Sequence, residues 1–166
     1  QGSFGAYSHL AALSIDPDAE ILPCKTFDDC FNQARLDPEC KIIIPESNRI
    51  TGNIGIEYLI FIHRLNIYME HFQKIEHNLL GQLGAKISDI KEVYSHAQGL
   101  SQCSKFIKDN NIAEHIRADT AGSAEMISKI KDVRQAAIAS SLSAKIYGLD
   151  VIKKNIENEK GNLTRF

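Results

Sequence analysis

Apolar and polar positions in the first half of the chain follow the short periods of helices and strands. Residues 41–44, Lys-Ile-Ile-Ile, form a continuous apolar run that ends at Pro45, which predicts a strand buried on both faces. Residues 66–80 have an extended pattern that is long enough to carry the chain from one lobe into another. The predicted helices are residues 10–13, with Tyr7 or Ser8 as cap, residues 27–34, with Thr26 as cap, and residues 53–61.

The second half repeats an order of strand followed by helix. Residues 87–94 predict a strand and Ser95 the N-cap of the next helix. The later elements are a helix that begins at Asp119–Thr120, a small-residue strand at 135–139, a helix from Ser140 to Tyr147 that Gly148 stops, and a strand at Val151–Ile152.

Composition places the chain among ordinary globular proteins, with 43% hydrophobic and 24% charged residues in 166. The net charge of -2 and the lack of a Lys/Arg cluster argue against a nucleic-acid surface. No apolar run reaches membrane-spanning length, because even residues 59–62 are followed by His63 and Arg64, and no signal peptide opens the chain. We therefore expect no membrane partner and a cytoplasmic location.

The four cysteines show no C-x-x-C spacing, and scattered cysteines in a reducing compartment are usually small buried hydrophobes. Disulfides are not expected. Because the chain starts at Gln1 without Met and ends at Phe166 within a motif, we expect it to be a fragment of a longer protein.

The last five residues, Asn162 to Phe166, carry the first candidate for chemistry. Arg165 can grip a carboxylate by two hydrogen bonds, Thr164 can donate a proton, and Phe166 offers a ring to a flat anionic substrate. A threonine and an arginine at the end of an ordinary edge strand would give the same sequence, so the motif alone does not decide between a site and a structural role.

Two loops are further candidates. Residues 46–52 gather polar groups, including Asn48, after the predicted strand, where open α/β sheets hold ligands; a solvated surface loop would look similar. Gly2 to His9 is a loop punctuated by two glycines that could bring backbone amides to a ligand or form an ordinary turn. A Rossmann cofactor site is excluded, since no strand precedes this loop and no third glycine is in register.

Hydrogen-bonding groups also gather at predicted helix starts. On a helix, Ser95, Gln98 and Gln102 would fall close to one face, and Thr120 lies at the start of the next helix, as part of a plain cap or as a ligand contact. A nucleophilic pair of Ser95 and His96 is disfavoured, because adjacent residues at a helix start point apart and no elbow motif surrounds them.

Two Glu-His pairs, at 70–71 and 76–77, invite a metal interpretation. Nothing in their spacing on extended chain makes the ligands converge, so we interpret these histidines as sheet residues with local hydrogen bonds.

In order along the chain, these segments resemble the catalytic domain of the prephenate dehydratase family. The matching stretches are residues 1–9, 45–52, 95–103, 119–121, 136–140 and 162–166, so the resemblance extends over nearly the whole chain from its first residue to its last. The resemblance implies an α/β fold of two lobes of the periplasmic-binding-protein-like type II kind, with the active site in the cleft between them. We place lobe I at residues 1–70, lobe II at 71–155 and a return segment at 156–166.

The implied activity converts prephenate to phenylpyruvate without a cofactor or metal. Thr164 takes the role of the essential hydroxyl and Arg165 that of a carboxylate anchor. The other expected substrate-binding residues are Ser95, Gln102, Asn48, Thr120 and Phe166. The family usually has a downstream domain that binds phenylalanine, and we expect a homo-oligomer in the full-length protein. The alternatives are an arogenate dehydratase and a non-catalytic module of the same fold that binds a small anion.

One loop departs from the family pattern Pro-x-Glu-Asn-Ser. Ser47 stands where Glu is expected and Arg49 where Ser is expected, while Asn48 is retained. Either Glu46 substitutes from one position away or the glutamate is dispensable.

Overall fold

The structure is a computed structural model that describes all residues from Gln1 to Phe166. The chain forms two compact units, each with its own sheet. The first unit contains residues 1–3, 7–75 and 161–166, and the second contains residues 4–6 and 76–160. The chain thus passes into the second unit after Ile75 and returns after Lys160, whereas the sequence placed the boundaries after residues 70 and 155. No helix is both long and apolar enough to cross a membrane.

The first unit has a four-stranded antiparallel sheet in the order β2-β1-β9-β3. Its elements are α1 (Tyr7–Ile15), α2 (Phe27–Leu36), β1 (Ser47–Asn48), β2 (Gly52–Asn53), α3 (Glu57–His63), β3 (Phe72–Lys74) and β9 (Leu163–Arg165). The C-terminal strand β9 lies between β1 and β3. The interpretation of Thr164 and Arg165 as residues of an edge strand is therefore wrong.

The apolar core of the first unit lies between helices α2 and α3. Thr26 caps α2 as predicted, and a capping box with Asp29 satisfies two backbone amides. The predicted strand at 41–44 is wrong, because this segment pairs with no strand. Ile44 instead packs with Phe31 of α2 in one apolar cluster. The apolar run correctly indicated a buried segment, but this segment is covered by helices and does not belong to a sheet.

The second unit has a mixed five-stranded sheet in the order β6-β5-β7-β4-β8. Strand β5 is parallel to β6 and β7, while β4 is antiparallel to β7 and β8. Its elements are β4 (Asn78–Gly81), a 3₁₀ turn (Ile87–Asp89), β5 (Glu92–His96), α4 (Ala97–Gln102), α5 (Ser104–Asp109), β6 (Ala113–Arg117), α6 (Thr120–Ile130), β7 (Gln135–Ala139), α7 (Ser141–Tyr147) and β8 (Asp150–Lys153). Both faces of this sheet are covered, since Leu79 and Leu80 belong to different apolar clusters.

Several predicted elements of the second unit are confirmed. The small-residue strand is β7, whose alanines allow α6 to pack closely through Ala124. Ser140 caps α7 by accepting the Ser143 amide at 3.1 Å, and Gly148 ends that helix in the left-handed region at φ 66°. The predicted strand at 87–94 is displaced: it begins at Glu92 and continues through Ser95, so His96 and not Ser95 is the N-cap of α4.

The N-terminal glycine loop enters the second unit at Phe4–Ala6. The Gly5 carbonyl accepts hydrogen bonds from the Ser140 and Ser143 hydroxyls at 2.6 and 2.9 Å. Gly5 has φ +87°, and a Cβ there would lie 2.6 Å from Ser143 Oγ and 2.8 Å from its Cα. Both the backbone conformation and the close approach therefore require glycine.

Gly5→Ala should destabilise the protein more than Gly84→Ala, a matched control. Gly84 has a similar φ of +79° but open space around its missing Cβ. The control should cost about 1–2 kcal/mol for the left-handed conformation, and overpacking against Ser143 should add about 1–3 kcal/mol. Urea unfolding of the two variants measures the difference. Equal costs would mean that α7 can move away from the loop.

Candidate active site

The centre of the candidate site in the first unit is a hydrogen bond between β1 and β9. Asn48 Nδ2 donates to Thr164 Oγ1 at 2.8 Å, and Thr164 is only 7% exposed. The Arg49 amide bonds to the Leu163 carbonyl, so Asn48 and Thr164 are the adjacent non-hydrogen-bonded pair, whose side chains lie closest. The pairing register thus brings these two predicted site residues together.

The orientation of Asn48 is fixed by the turn that follows it. Its Oδ1 accepts the backbone amides of Ile50 and Thr51 at 3.0 and 3.2 Å. Because only the oxygen can accept from those amides, the amide nitrogen must face Thr164. Thr164 Oγ1 is therefore an acceptor in this bond, and its own proton stays available for a substrate.

Asn48 reaches this position by a different route from the one predicted. The loop does not follow a parallel strand: β1 within it pairs antiparallel with both β2 and β9. Glu46 Oε2 accepts from the Ser47 hydroxyl at 2.5 Å and lies 3.6 Å from Arg165 Nη1. The family glutamate position is thus held by a serine whose hydroxyl bonds the neighbouring carboxylate.

Thr164 and Arg165 project from opposite faces of the sheet, since neighbouring residues on a strand alternate. Arg165 Nε donates to Glu70 Oε2 at 2.9 Å, and its Nη1 lies near Glu46. The Arg165 side chain is 48% exposed, so it is accessible, yet one guanidinium and two carboxylates sum to one negative charge. Arg165 is therefore paired within the protein and is a weaker anion site than an unpaired guanidinium would be.

The face of Thr164 holds three residues besides Asn48. Gln73 is its direct partner on β3, and Phe166 and His71 are paired one step along by two backbone hydrogen bonds of 2.8 and 3.0 Å. Of these, Phe166 was predicted and Gln73 was not considered. His71 lies one residue before β3 and extends its ladder, and it has the predicted local hydrogen bond, because its Nε2 lies 3.4 Å from Gln73 Oε1. Strand register, which the sequence does not display, is the signal that selects them.

In the second unit, Ser95 and Thr120 both lie next to Gly99. A Cβ on Gly99 would be 2.8 Å from Ser95 Oγ and 3.6 Å from Thr120 Cγ2. Ser95 is fully buried near the carboxyl end of β5, and its hydroxyl donates to the Ile138 carbonyl at 2.7 Å. Thr120 is the first residue of α6, which Asp119 caps by accepting the Gly122 amide at 2.6 Å. The predicted start of a helix at Asp119–Thr120 is thus confirmed, and Asp119 is its N-cap.

Gln102 ends α4, and its Oε1 lies 3.1 Å from His77 Nε2. Since the amide oxygen accepts, His77 Nε2 carries the proton. Burial lowers the pKa of His77, and the Gln102 hydrogen bond opposes this shift less strongly. The predicted common helix face of Ser95, Gln98 and Gln102 is wrong for Ser95, which belongs to β5.

Comparison with known proteins decides the family. The family model described as prephenate dehydratase matches residues 1–166. The chain belongs to the prephenate dehydratase family. An arogenate dehydratase/prephenate dehydratase 1 of Arabidopsis thaliana, named as chloroplastic, is 40% identical over all of this chain.

Two solved structures resemble this dehydratase-family chain closely. A prephenate dehydratase from Staphylococcus aureus has TM-score 0.82 and 28% identity over 99% of the chain, and a protein titled a quorum-quenching acylase has TM-score 0.91 and 33% identity over 100%. These likenesses confirm the predicted α/β fold of the periplasmic-binding-protein-like type II kind, which here has two sheets. The chain spans 43% of the Arabidopsis relative and 62% and 60% of the two solved chains.

The likeness to the acylase does not make Ser95 a nucleophile in this chain. Its hydroxyl proton is used by Ile138, and His96 Nδ1 instead accepts the Gln98 amide at 3.3 Å. As the sequence indicated, Ser95 and His96 form no hydrogen-bonded pair. No three side chains of His, Cys, Asp or Glu come together in a way that could hold a metal ion.

His77 predicts a pH dependence of stability. Below about pH 6.5 the unfolded chain protonates this histidine while the folded protein, with its lowered pKa, does not. The free energy of unfolding should therefore fall as pH drops from 7.5 towards 5.5. His77→Gln should flatten this part of the curve, as followed by urea unfolding at each pH.

His115→Gln, at an exposed histidine of the same unit, is the control and should keep the slope of the unmodified protein. If His77→Gln keeps that slope as well, the folded state must protonate His77 as readily as the unfolded chain does.

Proposed function

We propose that this protein catalyses the decarboxylating dehydration of prephenate to phenylpyruvate, in phenylalanine biosynthesis. The observation that carries the proposal is the bond from Asn48 to Thr164, which leaves the proton of a buried hydroxyl available for donation. Membership of the family supports it, and the Arabidopsis relative is named for both prephenate and arogenate.

The proposed reaction needs a general acid for the leaving hydroxyl and groups that hold the substrate in the right orientation. Prephenate has two carboxylates and a ring hydroxyl, and loss of that hydroxyl together with carbon dioxide produces an aromatic ring, so the barrier needs only modest help. Thr164 would protonate the departing hydroxyl as a general acid. Asn48 stabilises the charge that grows on Thr164 Oγ1 as its proton moves, since its amide already donates to that atom.

The other expected substrate contacts remain part of the proposal. Phe166 shares the face of Thr164 and can offer its ring to the substrate. Ser95, Thr120 and Gln102 stay predictions, supported by the proximity of Ser95 and Thr120 to Gly99 and by the polar Gln102 side chain at the end of α4. No cofactor or metal enters the proposed chemistry.

The proposed activity is tested by incubating the protein with prephenate and measuring phenylpyruvate. Saturable binding without turnover would favour the non-catalytic alternative. The same assay with arogenate gives its specificity constant for comparison. The two substrates differ only in the keto or amino group of the side chain, so a difference between the constants reports recognition of that group. We propose prephenate as the preferred substrate.

Thr164→Val should lower kcat by about 100- to 10,000-fold, the usual contribution of a positioned acid. Valine keeps the branched volume, so the protein should fold with a loss of about 1 kcal/mol from the missing Asn48 bond. Steady-state kinetics and urea unfolding measure the two effects. Thr164→Ser is the matched control and should keep part of the activity; near-normal turnover by the valine variant would assign the proton to another group.

Arg165→Lys should raise KM several-fold if the guanidinium anchors a substrate carboxylate, because lysine keeps the charge but loses the two-pronged grip. Glu70→Gln provides the comparison, since it removes one of the carboxylates that compete for Arg165 and should lower KM. If both variants keep KM and only reduce stability, Arg165 serves to tie β9 to Glu70 and not to bind substrate.

We also propose a cytoplasmic location and a homo-oligomer of the full-length protein. The support for the oligomer is α3, whose Tyr58 and Phe61 are 70% and 81% exposed although its other side packs in the core. A helix that is apolar on all sides is normally buried. Antiparallel contact with α3 of a second copy would also place Glu57 near Arg64, which have opposite charges.

A further inference from the structure

The proposed reaction consumes a proton at neutral pH. As prephenate loses carbon dioxide, the electron pair of the broken C–C bond completes the aromatic ring and the C–O bond breaks. The oxygen would leave as hydroxide unless it is protonated, so one proton is taken up for each water formed. The pKa of an alcohol lies far above neutral pH, so the Thr164 hydroxyl can pass a proton on but cannot be its net source.

The net source must be a titratable group near Thr164. The strands β1, β9 and β3, with the residues that extend their ladder, present Asn48, Thr164, Phe166, Gln73 and His71 on the Thr164 face. Among them, only His71 has a side chain of the kind that enzymes commonly use as a general acid. The acidic groups Glu46 and Glu70 are paired with Arg165, on the opposite face.

His71 also lies within reach of the hydroxyl. Gln73 is directly opposite Thr164, and His71 is two residues earlier on the same face, which makes it a diagonal neighbour of Thr164. Diagonal neighbours have Cα atoms about 7–8 Å apart, a gap that long side chains can span. Both His71 and Gln73 are half-buried, so a proton transfer from His71 would be partly shielded from solvent.

Gln73 fixes the direction of the imidazole. Its Nε2 donates to the Lys74 carbonyl at 3.0 Å, which turns Oε1 towards His71 Nε2 at 3.4 Å. The Ser14 hydroxyl lies 3.5 Å from the same oxygen but donates more closely to the Leu10 carbonyl, at 2.8 Å. Gln73 Oε1 therefore serves mainly as the acceptor for a protonated His71 nitrogen.

We propose that His71 is the proton source for the reaction at Thr164 and that Gln73 is the residue that positions its imidazole. This inference rests on the proposed function. The proton moves from the imidazolium through the Thr164 hydroxyl to the leaving oxygen, and water then reprotonates His71. The other charged or titratable groups on elements around it are Tyr7 and His9 on α1, Lys74 on β3, and the Arg165–Glu70 pair on the opposite face.

His71→Asn tests the proton source. In the unmodified protein, kcat should fall as pH rises and His71 loses its proton, whereas the variant should turn over about 100-fold more slowly at neutral pH and lack that pH limb. His71→Ala should regain activity with added imidazole in proportion to the imidazolium concentration, which a purely structural histidine would not do. His115→Asn, far along the chain on β6, should leave both rate and pH profile unchanged.

The positioning role of Gln73 is tested by replacing it with a charged and with an apolar residue. Gln73→Glu keeps an acceptor for His71 and adds a negative charge that favours the imidazolium, so the limb should move to higher pH. Gln73→Leu should lower kcat several-fold without such a move.

A His71→Asn protein with normal kcat and an unchanged pH profile would overturn the inference and leave the proposed function standing. An unmodified protein that binds prephenate without turnover would overturn both.

Discussion

The insertion of β9 between β1 and β3 is the constraint on which the candidate site depends. A strand from the C-terminal end of the chain meets partners that lie 89 to 118 residues earlier, and the register of these pairings sets Thr164 opposite Asn48 on one side and Gln73 on the other. A slip by one residue would turn Thr164 to the face now occupied by Arg165. The backbone ladder therefore determines which side chains meet at the candidate site.

The second unit shows a different relation between packing and site. Its sheet is buried on both faces, and Leu79, Leu80 and the alanines of β7 leave little freedom for the strands to move. Ser95 is fixed within that core by its bond to Ile138, and Gly99 is required where α4 passes close to it. Polar groups at the carboxyl end of β5 are thus held by the same close packing that stabilises the unit.

Local signals in the sequence predicted local structure well. Thr26, Asp119, Ser140 and Gly148 mark helix ends by side-chain and backbone chemistry that acts within a few residues, and the structure places helix ends at each. The run at 41–44 shows the limit, since continuous apolar residues indicate burial without stating whether a strand or a helix covers them. Ser95 shows another, because a serine can end a strand or cap a helix, and its carbonyl partner Ile138 is distant in sequence. The motif at 162–166 made Thr164 a candidate, but its neighbours Gln73 and His71 depend on a pairing register that no local pattern specifies.

The strand pleat also separates the charged groups around Arg165 from the Thr164 hydroxyl. Thr164 and Arg165 are adjacent in sequence, yet the carboxylates of Glu46 and Glu70 gather around Arg165 on the far face. A carboxylate beside Thr164 would accept its hydroxyl proton, and the threonine would then have no proton to give to a substrate. The groups that do surround it are two amides, an imidazole and an aromatic ring, and Asn48 presents its donating side because Ile50 and Thr51 occupy its oxygen. The turn that follows Asn48 thus makes its amide nitrogen the donor to the Thr164 hydroxyl, and the alternation of the strand keeps both carboxylates on the other face.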